Sequence, residues 1–150
     1  MKVLVQRVKE ASCQSGGTTT GAIANGLVLF VSFNKSDDES LIPLLAKKIA
    51  NLRIFEDEEG KMNLSLLDKG YAVLSISQFT LEAKTRKGNR PSFTEALAPD
   101  LANTYYQQFN KALEKKGIPV ATGVFKEHMD ITLTNDGPVT LLIERTKDND

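Results

Sequence analysis

The first residues of the chain alternate in polarity: Val3, Val5 and Arg7 fall on one face, Leu4, Gln6 and Val8 on the other. Alternation over a short segment rich in β-branched residues predicts a strand over residues 2–13. Gly16-Gly17 marks a turn, and 18–23 reads as a second strand. Asn25-Gly26 is a hairpin signal; the strand that follows, over 27–33, is apolar enough to be covered on both faces. Asp37-Asp38-Glu39-Ser40 offers helix-starting acids and a cap, after which Leu41, Ile42, Leu44, Leu45, Ile49 and Leu52 recur at helical spacing. Pro43 fits only a first turn, so this helix begins near Ser40 or Leu41.

Ile54-Phe55 reads as a short strand entering the acidic turn Asp57-Glu58-Glu59-Gly60. A polar–apolar stretch over 62–67 and a break at Gly70 lead to a strand over 71–81. The loop 82–91 carries Lys84, Arg86, Lys87 and Arg90. Ser92-Phe93-Thr94-Glu95 has the form of a capping box and predicts a helix from Phe93. Pro99 ends it and opens a second helix, with Leu101, Tyr105, Phe109, Ala112 and Leu113 on one stripe, which stops near Gly117-Ile118-Pro119. The tail reads as three strands, near 120–125, 130–135 and 139–144, with 146–150 frayed. Strands, helix, strand, helix, strands predict one α+β domain over 1–150, a mostly antiparallel, barrel-like sheet with two main helical segments packed on it.

Composition narrows the function classes. Lys plus Arg number 19 and Asp plus Glu number 19, so bulk charge does not hold this chain on nucleic acid, although one local basic patch remains open. The longest apolar run, Gly26-Leu27-Val28-Leu29-Phe30-Val31, is far shorter than the ~20 residues of a membrane helix. The N-terminus turns polar too early for a secretory signal, which leaves a cytoplasmic chain as the expectation. The lone Cys13 excludes an internal disulfide, and with the lone His128 it excludes a Cys- or His-rich metal site.

Four places carry candidate chemistry. Ser77-Gln78-Phe79-Thr80-Leu81 ends a buried strand, where a rigid scaffold presents hydroxyls and free N–H groups. Ser77 and Thr80 suit a nucleophile or a water-positioning role, the N–H groups suit an oxyanion, and an ordinary strand end is the plainer reading. Asn135-Asp136-Gly137-Pro138-Val139-Thr140 is either a hairpin or a turn that offers bare carbonyl oxygens to a ligand. Lys84, Arg86, Lys87 and Arg90 form either a solvated loop or a phosphate-contacting patch. A Ser-His-Asp or Cys-His hydrolase would have to use His128, and nothing around it resembles a nucleophile elbow.

Taken as a pair, the 77–81 and 135–140 motifs resemble the D-aminoacyl-tRNA deacylase family. The likeness extends through Val5-Gln6-Arg7-Val8, Glu10-Ala11-Ser12, residues 51–57 and 61–65, Thr85-Arg86-Lys87-Gly88 and Arg90-Pro91-Ser92-Phe93. The chain departs from the pattern mostly over 14–20 and 125–128. The resemblance implies a cytoplasmic homodimer that needs no metal or cofactor and cleaves the ester between a D-amino acid, or glycine, and the 3′ end of tRNA. It implies a pocket lined by Ser77, Gln78, Phe79 and Thr80, with a cis Gly137-Pro138 unit reaching into the partner's pocket. Arg7 would brace that turn, Met129 would sit near the pocket mouth, and Lys84, Arg86, Lys87 and Arg90 would aid tRNA binding. A non-catalytic nucleic-acid-binding or interaction module on the same fold is the alternative.

Overall fold

In the computed structural model, which describes residues 1–148, the N-terminal alternation builds a strand against which the whole sheet is laid, β1 (Lys2–Ser15). β2 (Thr18–Ile23) and β3 (Gly26–Ser32) follow one another antiparallel along one edge of β1, with Cys13 opposite Gly21 and Val5 opposite Leu29. The last long strand runs antiparallel along the other edge of β1. Beyond β3 the sheet turns parallel. The chain forms helix α1 (Leu41–Asn51), a small ribbon of β4 (Phe55–Glu56) and β5 (Met62–Leu64), and helix α2 (Leu66–Lys69) before it returns as β6 (Ala72–Ser77) beside β3. Helix α3 (Pro99–Glu114) then brings back β7 (Val120–Thr122) beside β6, and β8 (Asp130–Glu144) closes onto β1.

Two cores form on the two sheet faces. Val3, Val5, Leu27, Leu29, Val31 and Val73 are buried under the apolar stripes of α1 (Leu41, Leu45, Ile49) and α3 (Tyr106, Phe109, Leu113). Each such fully buried side chain stabilises the fold by about 1.5–3 kcal/mol. Val8, Cys13, Val28, Leu74 and Ile76 make the second core on the opposite face, edged by Phe30, Met129 and Ile131. β2 curls back until Gly21 faces the Thr122 carbonyl, so the mixed sheet is nearly a closed barrel. No helix among the described residues is long and apolar enough to cross a membrane.

The single α+β domain with helices on a mostly antiparallel sheet is what the periodicity predicts; several local signals resolve differently. Asn25-Gly26 makes no hairpin, because β2 and β3 do not pair with each other but continue past a bend along β1. Gly26 is required there by crowding: a Cβ would lie 1.9 Å from the Ala72 carbonyl oxygen of the neighbouring strand. Ser40 occupies the N-cap of α1 without capping it, its hydroxyl donating to Asp38 instead. The true capping box is Ser65/Asp68, which builds the unforeseen α2: Asp68 N–H donates to Ser65 Oγ at 3.1 Å and Ser65 N–H to Asp68 Oδ2 at 2.9 Å.

No helix starts at Phe93. The Glu95 carboxylate that would close its capping box is taken by Lys84 at 2.8 Å and Lys35 at 3.2 Å, and Ser92 pairs with Lys84 backbone to backbone. The strand expected over 71–81 stops at Ser77 and passes into a single 3-10 turn, Phe79–Glu82. The last two strands of the tail are one, β8. Of the expected frayed tail, Lys147 pairs with Asp38 at 3.1 Å, and residues 149–150 lie outside the described residues.

Candidate active site

β6 is buried from Val73 to Ile76 and is held between β3 and β7. At its end Gln78 N–H donates to the Val31 carbonyl at 2.7 Å, after which the chain lifts into the Phe79–Glu82 turn. Leu81 N–H and Ala83 N–H close that turn on the Gln78 and Thr80 carbonyls, at 3.2 and 3.1 Å. Among the described residues nothing accepts from Phe79 N–H or Thr80 N–H, as befits the first donors of a helical turn. Both residues are exposed, Phe79 at 57%, with its ring edge-on to Phe93 at 5.2 Å. Ser77 and Gln78 are half-buried, and the Gln78 side-chain amide donates to the Thr80 hydroxyl. The Thr80 hydroxyl has no carboxylate or imidazole partner among the described residues.

The second motif is a bulge and not a hairpin. Register along β1 jumps from Gln6↔Thr140 to Val8↔Asn135, so residues 136–139 stand opposite Arg7 alone. Gly137 has φ 130°, a conformation open to glycine, and the Gly137–Pro138 peptide is cis. Arg7 is only 4% exposed and clamps the bulge to the fold: its Nε donates to the Asp136 carbonyl at 3.0 Å and its other branch to the Ile54 carbonyl at 2.7 Å. Asp136 Oδ2 lies 3.6 Å from Nε and Glu56 3.8 Å from the remaining nitrogen. Asn135, read from sequence only as a turn former, closes the base of the bulge. Its Oδ1 accepts from Val139 N–H at 3.0 Å and its amide donates to Thr140 Oγ1 at 2.9 Å. Gly137 and Pro138 themselves are exposed.

The two motifs do not meet within one chain. Ser77 is level with Val31 and, through it, with Val3 of β1, while the bulge faces Arg7. Four residues along β1 and three strand spacings across the sheet put roughly 20 Å of sheet surface between them. A polar cavity of about 180 Å³ lies beside the bulge, lined by Arg7, Asn25, Lys69, Tyr71 and Asp136, and includes none of residues 77–80.

The remaining candidates sit as follows. Met129 is half-buried against the Cys13 and Ile76 core. Lys84, Arg86, Lys87 and Arg90 are all exposed on the loop closed by the Lys84–Ser92 bridge; Lys84 is paired with Glu95, while the other three form no ion pair among the described residues. His128 points to solvent beside Asp130 at 3.3 Å, and Ser15 touches its carbonyl and not its ring, so the serine-hydrolase arrangement is absent there. Glu82, a buried carboxylate at the end of the Phe79–Glu82 turn, has no sequence signal.

Residues 4–144 match the family model described as D-Tyr-tRNA(Tyr) deacylase. The chain is 52% identical over 147 residues to a D-aminoacyl-tRNA deacylase of Thermus aquaticus, covering 98% of this chain and 97% of that protein. It is 53% identical to one of Brevibacillus brevis, covering 96% and 99%. Among solved structures it is similar to the c-Myc DNA Unwinding Element Binding Protein, with a TM-score of 0.91 and 38% identity over 97% of this chain and 99% of that one.

Proposed function

Because this chain belongs to the D-Tyr-tRNA(Tyr) deacylase family and is a D-aminoacyl-tRNA deacylase, we propose that it selects its substrate with the main-chain bulge at Gly137-Pro138 and cleaves it with main-chain donors. The enzyme acts in the cytoplasm as a homodimer, in which the bulge of one subunit completes the pocket formed by Ser77, Gln78, Phe79 and Thr80 of the other. The roughly 20 Å of sheet surface between the motifs in one chain supports this sharing across subunits. Carbonyl oxygens of Gly137 and Pro138 hold the substrate α-amino group and fill the space an L side chain would need. Rejection by exclusion works for any side chain, which suits an enzyme that clears many D-residues. The observation that carries this reading is the buried Arg7 clamp, which fixes an exposed bulge made of backbone.

Hydrolysis adds water to the ester carbonyl carbon. The oxyanion that forms is met by the Phe79 and Thr80 N–H groups, each well-placed donor contributing about 2.7–4 kcal/mol. The C–O bond then breaks, and the ribose oxygen takes a proton to leave free D-amino acid and tRNA. A threonine nucleophile needs a base, and the Thr80 hydroxyl has only the Gln78 amide as its partner, so the terminal ribose 2′-hydroxyl orients the water. Met129 borders the pocket mouth. Arg86, Lys87 and Arg90, with Lys84, contact tRNA phosphates.

The test is a set of initial rates on one tRNA carrying D-tyrosine, L-tyrosine or glycine, with and without EDTA. D-tyrosyl- and glycyl-tRNA are cleaved with or without EDTA, and the L-form survives; full resistance of glycyl-tRNA overturns the exclusion geometry. Thr80→Val retains substantial turnover, whereas a trapped acyl-Thr80 adduct makes Thr80 the nucleophile. Sedimentation of the active enzyme as a monomer removes the shared pocket. The likeness to a DNA-unwinding-element-binding protein favours a second reading, a nucleic-acid-binding module, which tight DNA binding without D-tyrosyl-tRNA turnover would establish.

A further inference from the structure

We infer that Glu82 is a positioning residue for the reaction, its buried carboxylate fastening the turn that presents the Phe79 and Thr80 N–H groups. The residue is 3% exposed and ends the Phe79–Glu82 turn. A buried carboxylate is costly unless its oxygens are paired, and here three side chains from two segments pair them. Ser32 Oγ, at the end of β3, donates to Oε1 at 2.7 Å. Asn34 Nδ2 and Lys2 Nζ donate to Oε2 at 3.2 and 3.3 Å. Lys2 Nζ also reaches the Leu81 carbonyl at 3.4 Å, so the same ammonium grips both the backbone and the side chain of the turn.

These partners are themselves fixed. Asn34 N–H donates to Asp37 Oδ2 at 2.7 Å, and Asn34 Oδ1 accepts from Ser36 N–H at 3.0 Å and Ser36 Oγ at 2.8 Å. Asp37 receives the buried amino group of Met1. The other end of the turn is exposed, and a lone 3-10 turn has little stability of its own. The Glu82 tether therefore decides where the two N–H groups point. An apolar residue would fill the same space without imposing that orientation.

The inference rests on Phe79 and Thr80 being the ester-facing donors, so the test reads position and turnover separately. Glu82→Gln keeps the shape and the Ser32 bond but sets an NH2 group against the Asn34 and Lys2 donors. In the folded variant kcat on D-tyrosyl-tRNA falls roughly 10- to 100-fold with KM nearly unchanged, and the Phe79 and Thr80 amide resonances move. Ser32→Ala, which removes one donor and threatens the fold less, shows the same split on a smaller scale. Lys2→Arg, which keeps the cation, restores most of what Lys2→Met loses. A folded Glu82→Gln enzyme with unmoved amides and kcat within about twofold of wild type overturns the inference, as does a rate loss matched by loss of folded protein. Moved amides with unchanged kcat refute the donor reading itself, and the positioning role with it. Failure of the wild type to cleave D-tyrosyl-tRNA in the same assay refutes the parent function.

Discussion

Arg7→Lys separates a chiral filter from a merely structural arginine. The guanidinium holds two carbonyls on different segments, Asp136 at 3.0 Å and Ile54 at 2.7 Å, from a site that is nearly fully buried. A lysine ammonium is a single point donor and lacks the planar fork that serves both. Losing one charge-assisted hydrogen bond, such as that to the part-buried Asp136 carbonyl, costs about 1.5–3 kcal/mol. For a domain of this size the melting temperature then falls by about 2–4 °C per kcal/mol, and the protein stays folded. The same energy, expressed as freedom of the bulge, is about a tenfold to hundredfold shift in its equilibrium. The ratio of D- to L-tyrosyl-tRNA cleavage rates is therefore expected to fall by about that factor, mostly through faster cleavage of the L-form. Matched initial rates on the two substrates, with a thermal melt of the same preparation, measure both quantities. A lowered melting temperature with a D/L ratio unchanged within about twofold would refute the reasoning and leave Arg7 a stabilising residue only.

Three further outcomes are expected. Gly26→Ala forces a methyl to 1.9 Å from the Ala72 carbonyl oxygen, where β3 and β6 pair, so chemical denaturation should show a loss of at least about 3 kcal/mol. Replacing Arg86, Lys87 and Arg90 together by alanine should flatten the salt dependence of tRNA binding by about 2 in log–log slope while leaving the D/L ratio alone; an unchanged slope returns the loop to plain solvation. Tyr106→Phe removes the 2.7 Å bond to the Ser75 carbonyl and should cost about 1 kcal/mol in denaturant titration at neutral pH. Burial holds the Tyr106 hydroxyl above its ordinary pKa of 10.0, so its contribution is whole below pH 10 and is lost as pH rises through the folded value. The advantage of wild type over Tyr106→Phe should shrink on that alkaline side, and an advantage independent of pH there would contradict the assignment.

What was legible in the sequence was whatever the local pattern alone determines. The alternation from Val3 to Val8 and the helical spacing from Leu41 to Ile49 place β1 and α1, and Pro99 marks the first turn of α3. Signals that depend on distant partners misled. Ser92 to Glu95 has the letters of a capping box, but Glu95 is drawn off by Lys35 and Lys84, while Ser65 and Asp68, less conspicuous, make the real one. Asn25-Gly26 and Asn135-Asp136-Gly137-Pro138 both spell turns. β1 pairs on both sides of each, so the first becomes a bend and the second a bulge. The parallel pairing of β6 and the burial of Glu82 have no local signature, since both follow from which strand end comes to rest beside β3 and Lys2. The motif pair itself could be recognised, but the roughly 20 Å of sheet surface between its halves could not, because strand order is set only by the assembled sheet.

Lys2 holds the Phe79–Glu82 turn and Arg7 holds the bulge, and both stand on β1. Each anchor can be cut singly, but only the register of β1 holds both in place at once. A two-residue slip of that strand would carry both anchors away together by about 6.6 Å. On the proposed reading, in which the bulge is the chiral filter, this is the safe way to break. A copy that kept its scissors and lost its judgement would strip correctly charged tRNA and poison the ribosome's supply, whereas one whose common axle fails goes quiet.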